Sequence, residues 1–137
     1  MRNWMNFERV GSEVSLGHKY CHLLPSRNII LNDIPKLTLT DDKWQPCISV
    51  ISEIELLSWK SDEEEDIRML NEFLEKCEVI EFNKAIKLQT ADIRKLYSTK
   101  LPDAIIAATA LSFDIPLMTR NIKDFQSITD LQLLNPF

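Results

Sequence analysis

The side chains of this sequence that could do chemistry are carboxylates rather than histidines or cysteines. Asp103 lies in the first turn of 101–111, a run of small and branched apolar residues that predicts a helix buried on all sides. Pro102 suits the first helical position, and a negative charge is favoured beside the positive end of a helix. A buried carboxylate is costly unless a cation or hydrogen-bond donors compensate it. Two interpretations stay open for Asp103: a ligand, or a helix-end charge satisfied by backbone donors.

Three more polar side chains stand just beyond predicted strands, namely Glu55, Asn121 and Asp124. Ligands of parallel sheets bind beyond the carboxyl ends of the strands, so we expect these residues and Asp103 in one crevice. Three converging carboxylates repel one another unless a cation lies among them, and all-oxygen ligands select Mg²⁺ or Mn²⁺ over zinc. A metal held in this way polarises a phosphodiester and activates water.

Each of these residues also has a structural interpretation. Glu55 stands three residues after Ser52, which is the spacing of a capping box at a helix start. Asp124 could be an ordinary polar residue of a turn, and Thr119 could cap that turn.

The elements that must position these residues alternate between strand and helix from residue 47 onward. Strands are predicted at 48–51, 79–82, 117–119 and 131–134, and helices are predicted to begin at Ser52, Ser61, Asn83 and Pro102. The predicted inner faces are Ile67, Leu70, Phe73, Leu74 and Cys77 for the second helix, and Ile86, Ile93 and Leu96 for the third. Strands separated by helices need crossover connections, which indicates an α/β fold: a mostly parallel sheet with helices on both faces.

The segment before residue 47 has a weaker pattern. Prolines interrupt it, and its strand-like pieces are limited to 23–24 and 29–31. We predict a single domain, 1–137, in which 1–45 is an atypical amino-terminal segment.

The net charge of −5 has the wrong sign for a protein that binds nucleic acid by electrostatics alone. Five acidic residues form one run at 62–66, and the other 16 acidic residues are balanced by 16 lysines and arginines. A run of this kind is typical of a solvated helix start, so a nucleic-acid substrate stays open.

Three cysteines with no Cys-x-x-Cys spacing predict neither a zinc ribbon nor a disulfide framework, and a reducing cytoplasm fits them best. The only histidines, His18 and His22, leave no Ser–His–Asp arrangement to compete with the carboxylates. The first 30 residues hold no continuous apolar segment, so we expect neither a signal peptide nor a membrane span.

Several stretches resemble the motifs of PIN-domain ribonucleases. Residues 48–57 (ISVISEIELL) resemble the second acidic motif, 101–111 (LPDAIIAATAL) the third and 117–125 (LMTRNIKDF) the fourth, while 135–137 (NPF) resembles a common ending. The motifs stand in the family's order and span 46–137, and the nearest group is the VapC-like toxins of bacterial toxin–antitoxin pairs.

The resemblance implies a PIN-like fold and a metal-dependent endoribonuclease, for which the oxygen ligands favour Mg²⁺ or Mn²⁺. Such an enzyme cuts single-stranded RNA, forms a homodimer and is held inactive by a cognate antitoxin. Carried over by motif, the catalytic carboxylates and metal ligands are Glu55, Asp103 and Asp124, with Asn121 as a further ligand. The implied substrate contacts are Thr119, Arg120 and Lys100. For Arg120 and Lys100 the alternative is an ordinary solvated charge on the surface.

The family's first motif, a strand ending in Asp, then Thr or Ser, then Asn, has no match here. Residues 23–30 have its outline without the carboxylate, and Asp33 or Glu13 is the candidate substitute. If the first strand were missing, the sheet would lose a central member and the metal its main anchor. A second hypothesis is therefore a catalytically impaired PIN module that retains dimerisation or antitoxin binding. A third is a small-molecule phosphatase on a similar sheet.

Overall fold

The computed structural model describes residues 20–23, 44–119 and 121–135. In these ranges the strands are β1 (Tyr20–Leu23), β2 (Trp44–Ser49), β3 (Glu78–Ile80), β4 (Leu117–Met118) and β5 (Leu133–Leu134). The helices are α1 (Val50–Leu57), α2 (Glu64–Lys76), α3 (Lys84–Leu96) and α4 (Leu101–Phe113), followed by a 3₁₀ turn at Ile122–Asp124.

The strands form one sheet in the order β3-β2-β1-β4-β5, and every neighbouring pair is parallel. The chain builds β2 and β3 on one side of β1 and then crosses to build β4 and β5 on the other side. This reversal of strand order beside β1 creates a crevice at the carboxyl ends of the strands, where ligands of such sheets bind. The predicted α/β fold with a parallel sheet is confirmed.

Helices cover both faces of the sheet, as the sequence predicts. Successive residues of a strand point to opposite faces. Cys47 and Leu117 pack into a core with α3 and α4, whereas their neighbours Ile48 and Met118 pack with α2 and the end of α1. The sheet therefore separates two apolar cores.

The first strand is present, in a place that the apolar pattern does not indicate. β1 pairs with β2 from Tyr20↔Trp44 to Leu23↔Cys47, and Leu23 also pairs with Leu117 of β4. The sheet therefore keeps its central member. Leu23 of the expected strand-like piece 23–24 belongs to β1, and Leu24 lies outside the described residues. β1 already includes Tyr20, Cys21 and His22, because pairing with a neighbouring strand, rather than an apolar run, defines it. The piece at 29–31, Asp33 and Glu13 lie outside the described residues.

Helix α1 begins earlier than predicted. Ser49 is its N-cap and accepts a hydrogen bond from the amide of Ser52 at 3.1 Å, and the Ser49 hydroxyl donates to the Ser52 hydroxyl at 3.2 Å. The predicted strand 48–51 therefore ends at Ser49, and the Ser52–Glu55 capping box is wrong. Glu55 lies inside the helix instead of at its start.

The start of α2 also differs from the sequence prediction. Its N-cap is Glu63, and Ser61 accepts a hydrogen bond from the Glu63 amide while donating to Asp66. Ser61 therefore orders the turn before the helix instead of capping it. The acidic run is solvated, as expected: residues 62–65 are exposed.

The two later helices follow their predicted patterns closely. Asn83 caps α3 by accepting a hydrogen bond from the Ile86 amide at 2.9 Å. Ile86 and Ile93 are buried, but Leu96 is 74% exposed because it lies at the end of the helix, beyond the neighbours that cover Ile93. α4 is buried from Asp103 to Ala110. Within the described ranges, no helix is both long enough and apolar enough to cross a membrane.

Two described cysteine side chains have different states. Cys47 is fully buried and disulfide-bonded, which departs from the expected absence of disulfides. Cys77 is a free thiol whose pKa is raised to about 12, first by burial and then by the charge of Glu53. A thiol held neutral at physiological pH is a poor nucleophile.

Candidate active site

Asp103 lies at the carboxyl edge of the sheet. The short segment 114–116 joins α4 to the amino end of β4, so the other end of α4 lies at the opposite edge. Asp103 is in the first turn there, and Pro102 is the second helical residue rather than the first. Only 4% of Asp103 is exposed, so the predicted buried carboxylate is present.

A cleft of about 230 Å³ opens beside Asp103. Its lining is polar and comes from two segments of chain, the loop that enters α4 and the 3₁₀ turn with the residues after it. The lining residues are Ser98, Thr99, Lys100, Asp103, Lys123, Asp124 and Ser127. The cleft therefore joins two of the predicted carboxylates with one predicted cation.

The charges of this cleft are arranged in two pairs. The α4 side contributes Lys100 and Asp103, and the 3₁₀ side contributes Lys123 and Asp124. The cleft is formally neutral, whereas the whole chain carries −5. Carboxylates next to ammonium groups form a site that can take a cation and a phosphate together.

Asp124 is held in place by a short chain of hydrogen bonds from the end of β4. The hydroxyl of Thr119 accepts a hydrogen bond from the amide of Asn121 at 3.0 Å. The side-chain amide of Asn121 donates to the carboxylate of Asp124, and the Asp124 amide donates to the Asn121 carbonyl at 3.3 Å. Thr119 has no exposed surface, so it acts through Asn121 in this arrangement.

Glu55 is half-buried on α1 and does not line the cleft. α1 starts directly at the carboxyl end of β2 and contacts α4, which carries Asp103. With the capping box excluded, capping no longer explains a carboxylate at this position.

The structure thus brings Lys100, Asp103 and Asp124 into one cleft and connects Asn121 and Thr119 to it by hydrogen bonds. Arg120 lies outside the described residues. Sequence reasoning missed Lys123 as a cleft residue, although it stands directly before Asp124. That adjacency was the available sequence signal, and the structure places both residues in one short 3₁₀ turn.

Tyr97 is a further residue that sequence reasoning did not assign to the site. Its hydroxyl donates to the Thr129 hydroxyl at 3.1 Å and accepts from the Thr129 amide at 3.2 Å. These hydrogen bonds lower the pKa of Tyr97, and the bond with the Thr129 side chain has a larger effect than the bond with the Thr129 backbone.

The carboxylates of the cleft fit a particular kind of metal site. Within the described ranges, no group of three or more His, Cys, Asp or Glu residues is arranged to hold a metal ion. Mg²⁺ at phosphate-handling sites is commonly bound by one or two carboxylates, with water and substrate phosphate as the other ligands. Asp103 and Asp124 supply that number, so the cleft fits an open, water-rich Mg²⁺ or Mn²⁺ site rather than a closed protein cage.

Comparison with protein families gives a match over most of the chain. The family model described as the PIN domain matches residues 30–131. No curated protein matches the chain at a significant level.

Solved structures of similar fold come from bacterial toxin–antitoxin complexes. VapBC2 of Rickettsia felis, bound to a DNA fragment from its promoter, is 26% identical with a TM-score of 0.69, covering 84% of this chain and 98% of that one. VapBC-1 of Haemophilus influenzae is 26% identical with a TM-score of 0.67, covering 84% and 97%. A toxin–antitoxin complex of Klebsiella pneumoniae is 28% identical with a TM-score of 0.64, covering 85% and 98%.

Proposed function

This chain belongs to the PIN domain family, and on that premise we propose that it is a metal-dependent endoribonuclease, the toxin of a toxin–antitoxin pair. PIN domains are generally nucleases, and the similar solved structures are toxin–antitoxin complexes. The observation that carries the proposal is the cleft, where the buried Asp103 and the exposed Asp124 stand beside two lysines at the carboxyl edge of the sheet. Single-stranded RNA is the proposed substrate.

In this proposal Asp103 and Asp124 hold the cation, with Glu55 and Asn121 as the other candidate ligands. When bound, Mg²⁺ or Mn²⁺ supplies charge stabilisation at the scissile phosphate and a water of lowered pKa. Asn121 orients the Asp124 carboxylate, and Thr119 fixes the turn that presents Asn121.

The substrate side of the proposal rests on the cations around the cleft. Lys100 and Lys123 bind phosphate oxygens of the RNA backbone, and Arg120 is a third candidate contact. These ammonium groups counter the charge of the phosphodiester, which two carboxylates would otherwise repel. RNA binding then depends on local charge rather than on the acidic chain as a whole.

The proposed partners are a cognate antitoxin and a second copy of the chain, acting in the cytoplasm. A partner surface of this kind needs large apolar side chains that are exposed together, and the described ranges offer several candidates for it. They are Ile54, Leu57, Trp59, Phe82, Leu88, Leu96 and Leu101.

The first prediction is that Asp103→Asn removes metal-dependent cleavage of RNA. The substitution keeps the size of the side chain but removes the charge that holds the cation, so the initial rate should fall at least roughly a hundredfold. Cleavage of a randomised-sequence RNA pool is measured with about 5 mM Mn²⁺, a concentration that fills a weak metal site. The same measurement is repeated with excess EDTA. EDTA should abolish cleavage by the unsubstituted chain.

The matched control is Asp92→Asn, which removes a carboxylate from the exposed surface of α3 beside Lys95. This variant should cleave RNA at the unsubstituted rate. Mn²⁺ should also raise the melting temperature of the unsubstituted chain and of D92N but not of D103N, because ligand binding stabilises only the form that binds it. RNA cleavage that persists in EDTA and in D103N contradicts the proposal.

A second candidate function is a catalytically impaired PIN module that binds an antitoxin or a second copy. It is favoured by the absence, in the described ranges, of a third carboxylate grouped with Asp103 and Asp124. Under this alternative the purified chain dimerises but shows no Mn²⁺-dependent turnover, and D103N behaves like the unsubstituted chain. Robust turnover excludes it.

A further inference from the structure

The two sides of the cleft are connected by a tyrosine at the end of α3. Tyr97 is the C-cap residue of α3, and its amide donates to the Ile93 carbonyl at 2.8 Å. The next three residues, 98–100, form one side of the cleft and lead into α4. The position of Tyr97 therefore determines where this side of the cleft begins.

Thr129 occupies the corresponding position on the other side. It follows the cleft residue Ser127 and the buried Ile128, whose amide bonds the Phe125 carbonyl at 3.1 Å. Phe125 is also buried, so this side is anchored to the core beneath the cleft. Thr129 is itself exposed, but it directly follows the buried Ile128, so a bond to Thr129 attaches to the anchored wall.

Tyr97 and Thr129 are joined twice, although they are 32 residues apart in sequence. The Tyr97 hydroxyl donates to the Thr129 side chain, and the Thr129 amide donates back to the same hydroxyl. A single phenolic group thus links both a side chain and the backbone of the opposite wall. We call this pair the Tyr97–Thr129 clasp.

The clasp matters because each wall carries one lysine and one aspartate. Lys100 and Asp103 follow Tyr97, whereas Lys123 and Asp124 precede Thr129. The two carboxylates stand on opposite walls, as do the two lysines, so a cation can bind both carboxylates and a phosphate can contact both lysines only at a suitable separation of the walls. A tie between the walls restricts that separation before any ligand binds.

From this arrangement we propose that Tyr97 is a positioning residue of the nuclease site, and that its hydroxyl fixes the spacing of the two charged walls through Thr129. The inference rests on the proposed function for its catalytic part. Tyr97 touches neither substrate nor metal in this scheme, and it acts only through the two loops.

Three substitutions test the clasp. Tyr97→Phe keeps the ring that packs against the core and deletes only the hydroxyl. Thr129→Val removes the side-chain acceptor but keeps the amide donor, and Thr129→Ser retains both bonds. Ser58→Ala is the matched control, because it deletes an exposed hydroxyl that donates to the Ile54 carbonyl outside the cleft.

Hydrogen exchange followed by mass spectrometry reports on the walls without any need for activity. In Y97F, exchange at 98–100 and 121–129 should rise roughly fivefold, the factor that corresponds to one hydrogen bond. T129S should keep the slow exchange of the unsubstituted chain, and S58A should leave both walls unchanged. Exchange in α2 serves as the internal reference, since the helix lies on the other face of the sheet.

Steady-state RNA cleavage then separates positioning from mere stability. At a temperature where every variant is fully folded, Y97F should lower kcat roughly tenfold and change KM less. Displaced cleft side chains weaken interactions with the transition state more than interactions with the bound substrate. T129S should retain activity. The Y97F/T129V double variant should lose no more activity than Y97F alone, because both substitutions remove hydrogen bonds of the same clasp.

Other outcomes overturn the inference. Unchanged exchange at both walls in Y97F shows that the clasp does not hold them, and faster exchange with an unchanged kcat shows that the spacing does not matter for cleavage. If the unsubstituted chain cleaves no RNA, the proposed function fails, and the exchange pattern alone decides whether the clasp holds the walls.

Discussion

Asp103 combines two properties that rarely occur together in one side chain. It is only 4% exposed, yet it lines a cleft. The cleft also contains Lys100, which precedes it in sequence, and Lys123 and Asp124, which follow it. Burial of a charge is costly, so a carboxylate is retained at such a place when neighbouring groups or a ligand compensate it. The lysines belong to the same set of compensating charges, and their role can be tested separately.

Replacing either cleft lysine should weaken RNA binding. Lys100→Ala and Lys123→Ala should each raise the dissociation constant for RNA roughly fivefold. This factor corresponds to about 1 kcal/mol, the upper value for an exposed charge pair. Lys100 makes no side-chain capping hydrogen bond, so its removal should leave α4 intact. Fluorescence anisotropy of a labelled RNA, measured in the Asp103→Asn background to prevent cleavage, gives the constants.

Salt dependence distinguishes a phosphate contact from a general charge effect. Each lysine variant should reduce the slope of log K against log salt by about 0.7, the value for one contact to a single strand. Lys84→Ala and Lys87→Ala remove exposed lysines of α3 that do not line the cleft and should change neither quantity. Equal losses in all four variants would refute a specific role for the cleft lysines.

At the scale of elements, hydrogen-bond caps and tertiary covering decide where each helix begins and how much of it is buried. Ser49 rather than Ser52 caps α1, which moves Glu55 from the helix start to its interior. In α3, Ile93 is 2% exposed and Leu96 is 74% exposed, although both satisfy the apolar spacing of an inner face. Periodicity identifies a face of a helix but not how far along it the neighbouring elements reach.

Two truncations on α3 should therefore have very different effects on stability. Ile93→Ala should lower the free energy of unfolding by roughly 2–5 kcal/mol, because it leaves a cavity in a packed core. Leu96→Ala should change it by less than about 0.5 kcal/mol, because the side chain is already in water. Urea unfolding followed by circular dichroism measures both, and similar losses would contradict the burial seen for these residues.

At the scale of the whole molecule, the surface carries two features that bear on partners. The acidic run at and just before the start of α2 is solvated, and large apolar side chains are exposed on α1 and α3. Exposed apolar side chains indicate a surface that another protein covers where they lie together in one patch. The homodimer and the antitoxin complex of the proposed function would each use part of this surface.

We expect the purified chain to be a homodimer in solution. Light scattering coupled to size exclusion should then give twice the monomer mass of 15.9 kDa. Because burial of apolar surface would drive the association, raising the salt concentration should not dissociate the dimer. A mass of 15.9 kDa even at concentrations well above the micromolar range would contradict this prediction.

The sequence alone determined the α/β class, the order of the elements from β2 onward, the Asn83 cap and the candidate carboxylates Asp103 and Asp124. These features arise from local interactions, since periodicity, caps and helix-end charges involve residues only a few positions apart. Motif order also sufficed to indicate the PIN family, which the family match confirms.

Only the tertiary structure decided which segment is the central strand, where Glu55 lies and which charges share a cleft. β1 is selected by pairing with strands on both sides, and Lys123 joins Lys100 because two distant loops meet at one edge of the sheet. The Tyr97–Thr129 clasp spans 32 residues. Contacts between residues so far apart leave no periodic trace in the sequence, because they depend on how completed elements pack against one another.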